Sequence, residues 1–151
     1  MLALRLAVAG EVAELRAIVV AAYSVYLPRM GRPPGPMTAD YAAAVDRREV
    51  WVAVDDEIAG LVVLVARADH LLLENVAVRP SEQGRGVGAR LLALAEREAA
   101  RLGLPEIRLY THESMTENIA YYPRHGYTLT HRGGEDGFRR VFFTKRLPGP
   151  G

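Results

Sequence analysis

Residues 71–78 read LLLENVAV, residues 79–88 read RPSEQGRGVG, and residues 89–102 read ARLLALAEREAARL. The first run has the length of a buried strand, and Pro80 cannot continue its hydrogen-bonded ladder. From Val87 onward, apolar residues recur at intervals of three or four, with arginine and glutamate between them, which is typical of an amphipathic helix. The segment therefore predicts a strand, a glycine-rich loop and a helix, in that order.

The glycine-rich loop, residues 79–88, is predicted to hold an anion. Glycine frees the backbone for positive φ, and the first turn of a helix leaves N–H groups unpaired at the positive end of its dipole. Arg85 adds a positive charge to the loop. A phosphate group is the ligand that this combination favours.

Two common phosphate-binding motifs fit this segment poorly. Gly84-x-Gly86-x-x-Ala89 satisfies the dinucleotide pattern, but that pattern needs an acidic residue about 20 positions later, after the next strand, within further βα units. The next strand, at residues 107–111, is preceded by Glu106 and followed by Glu113, and no third βα unit exists in the sequence. The Walker pattern fails as well, because no Lys-Ser or Lys-Thr pair follows the glycines.

Two blocks of the sequence resemble a known family. Gln83-x-x-Gly86-x-Gly88, behind a strand that ends at Val78, is similar to the signature of the GNAT superfamily of N-acetyltransferases. The second block, ENIAYYPRHGY at residues 117–127, is similar to the late helix of that family. Together the two blocks cover about residues 71–130, and their order and spacing match the family.

The resemblance implies that the loop holds the pyrophosphate of acetyl-CoA, used as co-substrate. The cofactor-binding residues that it implies are Val76, Ala77, Val78, Gln83, Gly84, Arg85, Gly86, Val87, Gly88, Ala89, Asn118 and Tyr122. In the family a backbone N–H of this strand stabilises the oxyanion, here that of Val76 or Ala77, while Val78 bonds the pantetheine arm. For this the strands at residues 71–78 and 107–111 must splay apart.

Acetyl transfer to an amine also needs a group that accepts a proton. An alkylammonium has a pKa of about 10.4 in water, so a base or a relaying water must accept its proton. Glu74 is the first candidate, because it is the one carboxylate in the apolar strand, where burial would raise its pKa. Pairing with an arginine such as Arg108 is the alternative role for Glu74. His112 and Glu113 are the fallback bases.

The departing thiolate needs an acid, and Tyr122 matches the tyrosine of the family. A phenol has a pKa of about 10 and a thiol a pKa of about 8.5, so proton transfer from the phenol to the thiolate is only slightly unfavourable. Tyr121 would point about 100° around the helix, so packing is its expected role. Pro123 disfavours helical geometry at the residue before it, which leaves the orientation of Tyr122 open. Ser114-x-x-Glu117 is predicted to form a capping box.

The acceptor is expected to bind at the N-terminal third of the chain. A helix is predicted from Gly10 to about Tyr26, and the prolines of residues 27–37 then disfavour regular hydrogen bonding. The resemblance places the roof of the acceptor pocket here, with Tyr23, Tyr26 and Arg29 as candidate substrate-binding residues. Packing is the alternative role for the two tyrosines.

The remaining segments complete the predicted fold. Hairpins are expected at residues 51–66 and 127–147, the second turning at residues 133–137, and the strand at residues 107–111 should run parallel to residues 71–78. These elements predict one α/β domain at residues 1–147, with a flexible tail at residues 148–151. The sheet should be twisted, mixed and mostly antiparallel, with six or seven strands, helices on both faces and splayed central strands.

Composition excludes several classes of protein. The 151 residues contain no cysteine, which excludes disulfides, a zinc-thiolate site and a cysteine nucleophile. A net charge of +1 does not favour a nucleic-acid partner, and no apolar run has the length of a membrane span. Arg5 interrupts the first apolar stretch, which favours a strand over a signal peptide. The four histidines lack metal-ligand spacing, so no metal site is expected.

The leading hypothesis is a cytoplasmic N-acetyltransferase that moves an acetyl group directly from acetyl-CoA to an amine of a small molecule or peptide. The alternative is a non-catalytic acyl-CoA-binding or sensor module, with a nucleotide-binding regulator as a distant third. Neither nucleic acid nor membrane is expected as a partner, and homodimer formation is left open.

Overall fold

The protein is described by a computed structural model over residues 2–135 and 138–148. Its described strands are β1 Ala3–Leu6, β2 Val50–Asp55, β3 Glu57–Ala66, β4 Leu71–Val78, β5 Glu106–His112, β6 Thr128–Glu135 and β7 Phe138–Arg146. They form one seven-stranded sheet in the order β1-β2-β3-β4-β5-β7-β6. β4 and β5 are parallel, and the other neighbours are antiparallel. The predicted mixed, mostly antiparallel sheet is confirmed.

The helices of the described residues are α1 Val12–Tyr23, α2 Leu27–Met30, α3 Gly35–Thr38, α4 Tyr41–Asp46, α5 Val87–Arg101 and α6 Thr116–Arg124. α5 and α6 contribute to one buried cluster, whereas α1 and α4 contribute to a second cluster. Since the sheet separates the two clusters, helices cover both of its faces, as predicted. Within the described part of the chain, no helix combines the length and apolar character needed to cross a membrane.

The segment at residues 27–37 is more regular than its prolines predicted. α2 and α3 each carry a proline within their first two positions, where a missing N–H costs no intrahelical hydrogen bond. Both helices are four residues long, too short for a periodicity to show in the sequence. We call residues 24–40, which connect α1 to α4, the roof.

The predicted capping box at the start of α6 is wrong. Met115 occupies the N-cap position, and no side chain caps the helix. The Ser114 carbonyl and the Glu117 carboxylate instead accept hydrogen bonds from Arg29 of the roof. Pro123 lies one residue before the helix ends, so it affects only the last turn and leaves the residue before it helical.

β4 contains a bulge that decides which side chains face the roof. Leu73 is opposite Leu64 of β3, while Asn75 is opposite Val63, so Glu74 is an extra residue. Because a bulge shifts the alternation of side chains by one position, Leu73 lies in the cluster of α5, whereas Ala77 lies in the cluster of α1. The same shift directs Asn75 toward the end of α1 and the start of α4, where it bonds Tyr23 and Tyr41.

β4 and β5 pair over a short distance only. Their register comprises Leu71 with Ile107 and Leu72 with Arg108. Beyond these pairs the two strands diverge, although each remains paired along its other edge. The splay predicted for the central strands is therefore present, and we call the space between residues 73–78 and 109–112 the gap.

Two predicted segments lie partly outside the described residues. β6 continues through Glu135, so residues 133–135 of the turn expected at residues 133–137 belong to a strand, and residues 136 and 137 lie outside the description. The predicted tail at residues 148–151 is described only at Pro148.

Candidate functional site

The backbone of β4 presents alternate residues to the gap. The N–H of Arg79 donates to the carbonyl of Ala59 of β3 at 2.8 Å. Backbone polar groups in an antiparallel pair alternate between facing the partner strand and facing away. Ala77 therefore also faces β3, while Val76 and Val78 direct their N–H and C=O groups into the gap.

Two side-chain contacts agree with this alternation. The carbonyl of Val76 accepts a hydrogen bond from the Tyr23 hydroxyl at 3.1 Å, and that of Val78 accepts one from Gln83 Nε2 at 3.4 Å. Both donors lie outside β3. Of the two residues considered for an oxyanion contact, Val76 therefore has its N–H in the gap, whereas Ala77 does not.

The glycine-rich loop ends in a helix start with free donors. Gly86 adopts φ 81° at the N-cap of α5, a left-handed conformation that favours glycine. The first backbone hydrogen bond of the helix joins the Arg90 N–H to the Gly86 carbonyl at 3.1 Å. The N–H groups of Val87, Gly88 and Ala89 precede that bond, so they have no intrahelical acceptor. This turn can accept an anion.

The charged side chain of the loop is already paired. Arg85 Nη1 lies 2.8 Å from Glu82 Oε2, and the Arg85 side chain is 64% exposed. The space beside Gly84 is open, since a Cβ added there would meet no atom within 4 Å. The backbone donors, rather than Arg85, are therefore the main feature of the loop that fits an anion.

Tyr121 packs over the start of α5. A Cβ built on Gly88 would lie 2.8 Å from the Tyr121 hydroxyl oxygen, and the Tyr121 ring lies 4.4 Å from that of His125, centroid to centroid. Burial raises the pKa of Tyr121. The packing expected for Tyr121 thus includes a contact between α6 and the glycine-rich loop.

A cavity of about 430 Å³ occupies the gap. Its walls are residues 73–76 of β4, residues 109–112 of β5, parts of the roof and α4, and the inner side of α6. The cavity reaches side chains of both core clusters, because the divergence of β4 and β5 opens the sheet between them. The cavity wall includes Val76, whose backbone N–H and C=O face the gap.

α6 contributes two of the predicted residues to the cavity wall. Tyr122 is 5% exposed, and its ring packs 5.7 Å from Tyr127 and 5.8 Å from Phe143, centroid to centroid. Burial raises the pKa of Tyr122, so the phenol keeps its proton at neutral pH. Asn118 donates from Nδ2 to Thr111 Oγ1 at 3.4 Å, which ties α6 to the end of β5.

Glu74 lines the cavity but is not buried, contrary to prediction. Its side chain is exposed, because β5 has already diverged from β4 at this position. Within the described residues the Glu74 carboxylate makes no hydrogen bond or ion pair. Arg108 instead pairs with Glu106 at 2.6 Å and with Asp69 at 3.6 Å, so the alternative pairing is also wrong.

The two fallback bases differ in position. His112 lines the cavity, and its Nδ1 accepts a hydrogen bond from the Ser114 N–H at 3.0 Å. Partial burial is the main cause that lowers the pKa of His112. Glu113 is not part of the cavity wall, and its carboxylate lies 3.4 Å from Arg139.

A buried hydrogen-bonded chain joins the roof to β4. The Tyr23 hydroxyl donates to Asn75 Oδ1 at 2.7 Å, Asn75 Nδ2 donates to the Tyr41 hydroxyl at 2.9 Å, and Tyr41 donates to the Pro36 carbonyl at 2.6 Å. Burial raises the pKa values of both tyrosines. Tyr41 was not predicted from the sequence and Asn75 was given no role there, although a lone amide within an apolar strand is a signal for such a network.

Of the three candidate acceptor-binding residues, Tyr23 lines the cavity, but Tyr26 and Arg29 do not. Arg29 bonds Glu117 at 2.9 Å and the Ser114 carbonyl at 3.1 Å, and its guanidinium lies 5.2 Å from the centre of the Tyr26 ring. Burial is the main cause that raises the pKa of Tyr26 to about 12. Tyr26 and Arg29 therefore connect the roof to the start of α6.

Comparison with protein families gives one match that spans most of the chain. The family described as "Acetyltransferase (GNAT) family" matches residues 12–127. This range includes the glycine-rich loop, both strands that border the gap, and α6. No curated protein sequence matches the chain significantly.

Solved structures of similar fold cover nearly the whole chain. The paia N-acetyltransferase from Thermoplasma acidophilum, in complex with coenzyme A, has a TM-score of 0.82 and 15% identity, covering 97% of this chain and 99% of its own. The ribosomal-protein-S18-alanine N-acetyltransferase from Escherichia coli has a TM-score of 0.78 and 19% identity, covering 100% of this chain and 97% of its own. The protein yncA from Salmonella typhimurium, with its cofactor acetyl-CoA, has a TM-score of 0.73 and 19% identity, covering 100% of this chain and 96% of its own. At these identities the structures establish a shared fold.

Proposed function

The chain belongs to the GNAT family of acetyltransferases, and on this basis we propose that it moves an acetyl group from acetyl-CoA to a primary amine of a small molecule or peptide. The transfer is direct, without a covalent acetyl-enzyme. The chain has no cysteine to carry a thioester. Two proteins of similar fold contain coenzyme A or acetyl-CoA in their structures, which supports the same co-substrate here.

The observation that carries the proposal is the gap in the sheet. The N–H groups of Val76 and Val78 face it, and β5 does not pair with them. An extended amide arm fits such an edge, because it replaces the hydrogen bonds of a missing strand. The free N–H groups of Val87, Gly88 and Ala89 suit the pyrophosphate at the other end of the same ligand.

The residues around the gap fit the three chemical needs of acetyl transfer. We assign the Val76 N–H, which faces the gap, as the donor to the thioester oxygen as that oxygen gains negative charge. The Glu74 carboxylate, directly or through water, accepts the proton that the amine loses as the C–N bond forms. The Tyr122 hydroxyl donates a proton to the thiolate as the C–S bond breaks. Burial raises the pKa of Tyr122, which keeps the hydroxyl protonated but makes this transfer more uphill than for an ordinary phenol.

Binding of the co-substrate is tested by thermal unfolding with coenzyme A. A ligand at 100 times its dissociation constant adds about 2.7 kcal/mol to stability, so the unfolding temperature should rise. Gly86→Glu should abolish this rise, because it places a carboxylate at the anion-binding turn. Gly103→Glu is the matched control, since Gly103 has φ 72° beyond the other end of α5. A wild-type protein that coenzyme A does not stabilise would contradict the proposal.

Catalysis is tested with acetyl-CoA and a panel of primary amines. A thiol reagent detects released coenzyme A, and the protein adds no signal because it contains no cysteine. Turnover that depends on an amine supports acetyl transfer. Tight binding without turnover on any amine would favour the non-catalytic acyl-CoA sensor instead.

A further inference from the structure

His112 is held by the turn that follows β5. Its Nδ1 accepts a hydrogen bond from the Ser114 N–H at 3.0 Å, and its carbonyl accepts one from the Met115 N–H at 3.0 Å. The imidazole also lines the cavity at the gap. The ring thus lies beside the proposed acetyl-transfer site and is held by the backbone N–H of Ser114.

The hydrogen bond from Ser114 decides the tautomer of His112. A backbone N–H can only donate, so Nδ1 must offer its lone pair, and the proton of the neutral ring lies on Nε2. A neutral imidazole in this form can accept a further proton only at Nδ1. To act as a base, His112 would therefore have to break its bond to Ser114.

The surroundings of His112 also favour the neutral ring. Burial opposes the charged form, and Arg32 of the roof and Arg139 of β7 act in the same direction. Glu113, the next residue in the chain, favours the charged form but does not outweigh burial, so the pKa of His112 is lowered. Arg140 of β7 lies opposite His112 in the sheet register, and its guanidinium lies 4.6 Å from the centre of the Tyr110 ring.

The turn that His112 holds is the start of α6. That helix has no side-chain N-cap, so its first turn depends on the neighbouring contacts. Ser114 bonds His112 through its N–H and the roof residue Arg29 through its carbonyl. Because α6 carries Tyr122 into the cavity, a shift of this turn would move the tyrosine hydroxyl.

We propose that His112 is a positioning residue of the acetyl-transfer site, which acts as a neutral imidazole with its proton on Nε2 and orders the start of α6 through Ser114. It does not take the proton from the acceptor amine. This inference rests on the proposed function, and it leaves the proton to Glu74 or to water.

The tautomer is measured on the unmodified protein by long-range ¹H–¹⁵N NMR of the histidine rings. The signals of His112 are assigned by their loss in His112→Gln. At neutral pH the Nδ1 of His112 should show the shift of an unprotonated ring nitrogen, and Nε2 that of a protonated one. A proton on Nδ1 would overturn the inference. Because this measurement needs no turnover, it is independent of whether the protein acetylates an amine.

Two variants separate positioning from proton transfer. In His112→Asn the amide oxygen takes the place of Nδ1 and can accept the Ser114 N–H, whereas in His112→Gln the amide lies nearer the place of Nε2. We expect kcat to stay near the wild-type value in His112→Asn and to fall about tenfold in His112→Gln, as for one lost hydrogen bond. The acidic limb of the pH profile of kcat/KM should persist in both.

The other outcomes contradict positioning. Equal kcat values in the two variants, or a larger loss in His112→Asn, would show that the bond to Ser114 is not what matters. Loss of the acidic limb in both variants would make His112 the base. A wild-type protein with the expected tautomer but no turnover on any amine would refute the proposed function, and with it the site in which His112 is placed.

Discussion

The Tyr23 hydroxyl lies 3.1 Å from the Val76 carbonyl oxygen and donates to it. This bond joins the end of α1 to the backbone edge that faces the gap. Asn75 Oδ1 accepts from the same hydroxyl at 2.7 Å, so the single hydroxyl proton is shared in a bifurcated bond that holds two successive residues of β4. The direction of the Val76 peptide group is therefore set by a residue of the N-terminal half of the chain.

Tyr23→Phe should destabilise the protein, because it leaves the buried Asn75 Oδ1 and the partly buried Val76 carbonyl without their donor. We expect a loss of about 1–3 kcal/mol in the free energy of unfolding, the usual cost of an unsatisfied buried group. Tyr26→Phe is the matched control, since the hydroxyl of Tyr26 bonds the exposed carboxylate of Glu117. Denaturant unfolding measures both variants. Equal losses would show that the bonds to Asn75 and Val76 add no special stability.

Tyr122→Phe should lower kcat by about 10²-fold, the low end for the loss of a general acid. The ring keeps its packing against Tyr127 and Phe143, so we expect unchanged unfolding and unchanged affinity for acetyl-CoA. Tyr121→Phe, with its ring over Gly88, should reduce kcat much less. Steady-state kinetics compare the two. If both variants showed equal and mild losses, Tyr122 would be structural and water would supply the proton.

Glu74→Gln should reduce turnover most at low pH, where fewer acceptor amines are already neutral. The expected loss is about 10²-fold for a general base, and it should shrink as the pH approaches the pKa of the free amine. Glu113→Gln is the control, because Glu113 pairs with Arg139 outside the cavity. Rates of coenzyme A release from about pH 6 to about pH 9 test this, at about unit intervals. A pH-independent effect would assign the proton to another acceptor.

The stability of the protein should fall as the pH is lowered through the range just below the ordinary pKa of histidine, about 6.5. In this range the unfolded chain protonates His112, whereas burial lowers the pKa of His112 in the folded state. The unfolded state therefore binds more protons, and acid favours it. His112→Asn should flatten this part of the curve, with His131→Asn on β6 as the surface control. Denaturant unfolding at a series of pH values would contradict the assignment if both curves matched the wild type.

The sequence predicted the framework of the site because its signals are local. The apolar run of β4 ends at Pro80, and the helical period of α5 starts within the glycine-rich loop, so both elements lie where expected. Pro123 leaves Tyr122 helical, because α6 ends one residue after the proline. These features depend on neighbours in the chain, which a sequence displays directly.

The remaining features depend on contacts between distant segments. The bulge at Glu74 is visible only in the register between β3 and β4. The exposure of Glu74 follows from the divergence of β5, which no residue of β4 specifies. Ser114 and Glu117 have the spacing of a capping box, yet Arg29 from the roof binds both of them. A competing partner 85 residues away in the chain is outside any local pattern.

β4 and β5 share two residue pairs, Leu71 with Ile107 and Leu72 with Arg108, fewer than any other neighbouring strands of the described sheet. The sheet therefore consists of a four-stranded part and a three-stranded part, which are joined by these two residue pairs. α5 packs across this junction, because its buried side chains contact strands of both parts of the sheet. A molecule bound in the gap would add contacts between the two parts that the backbone pairing of β4 and β5 does not provide.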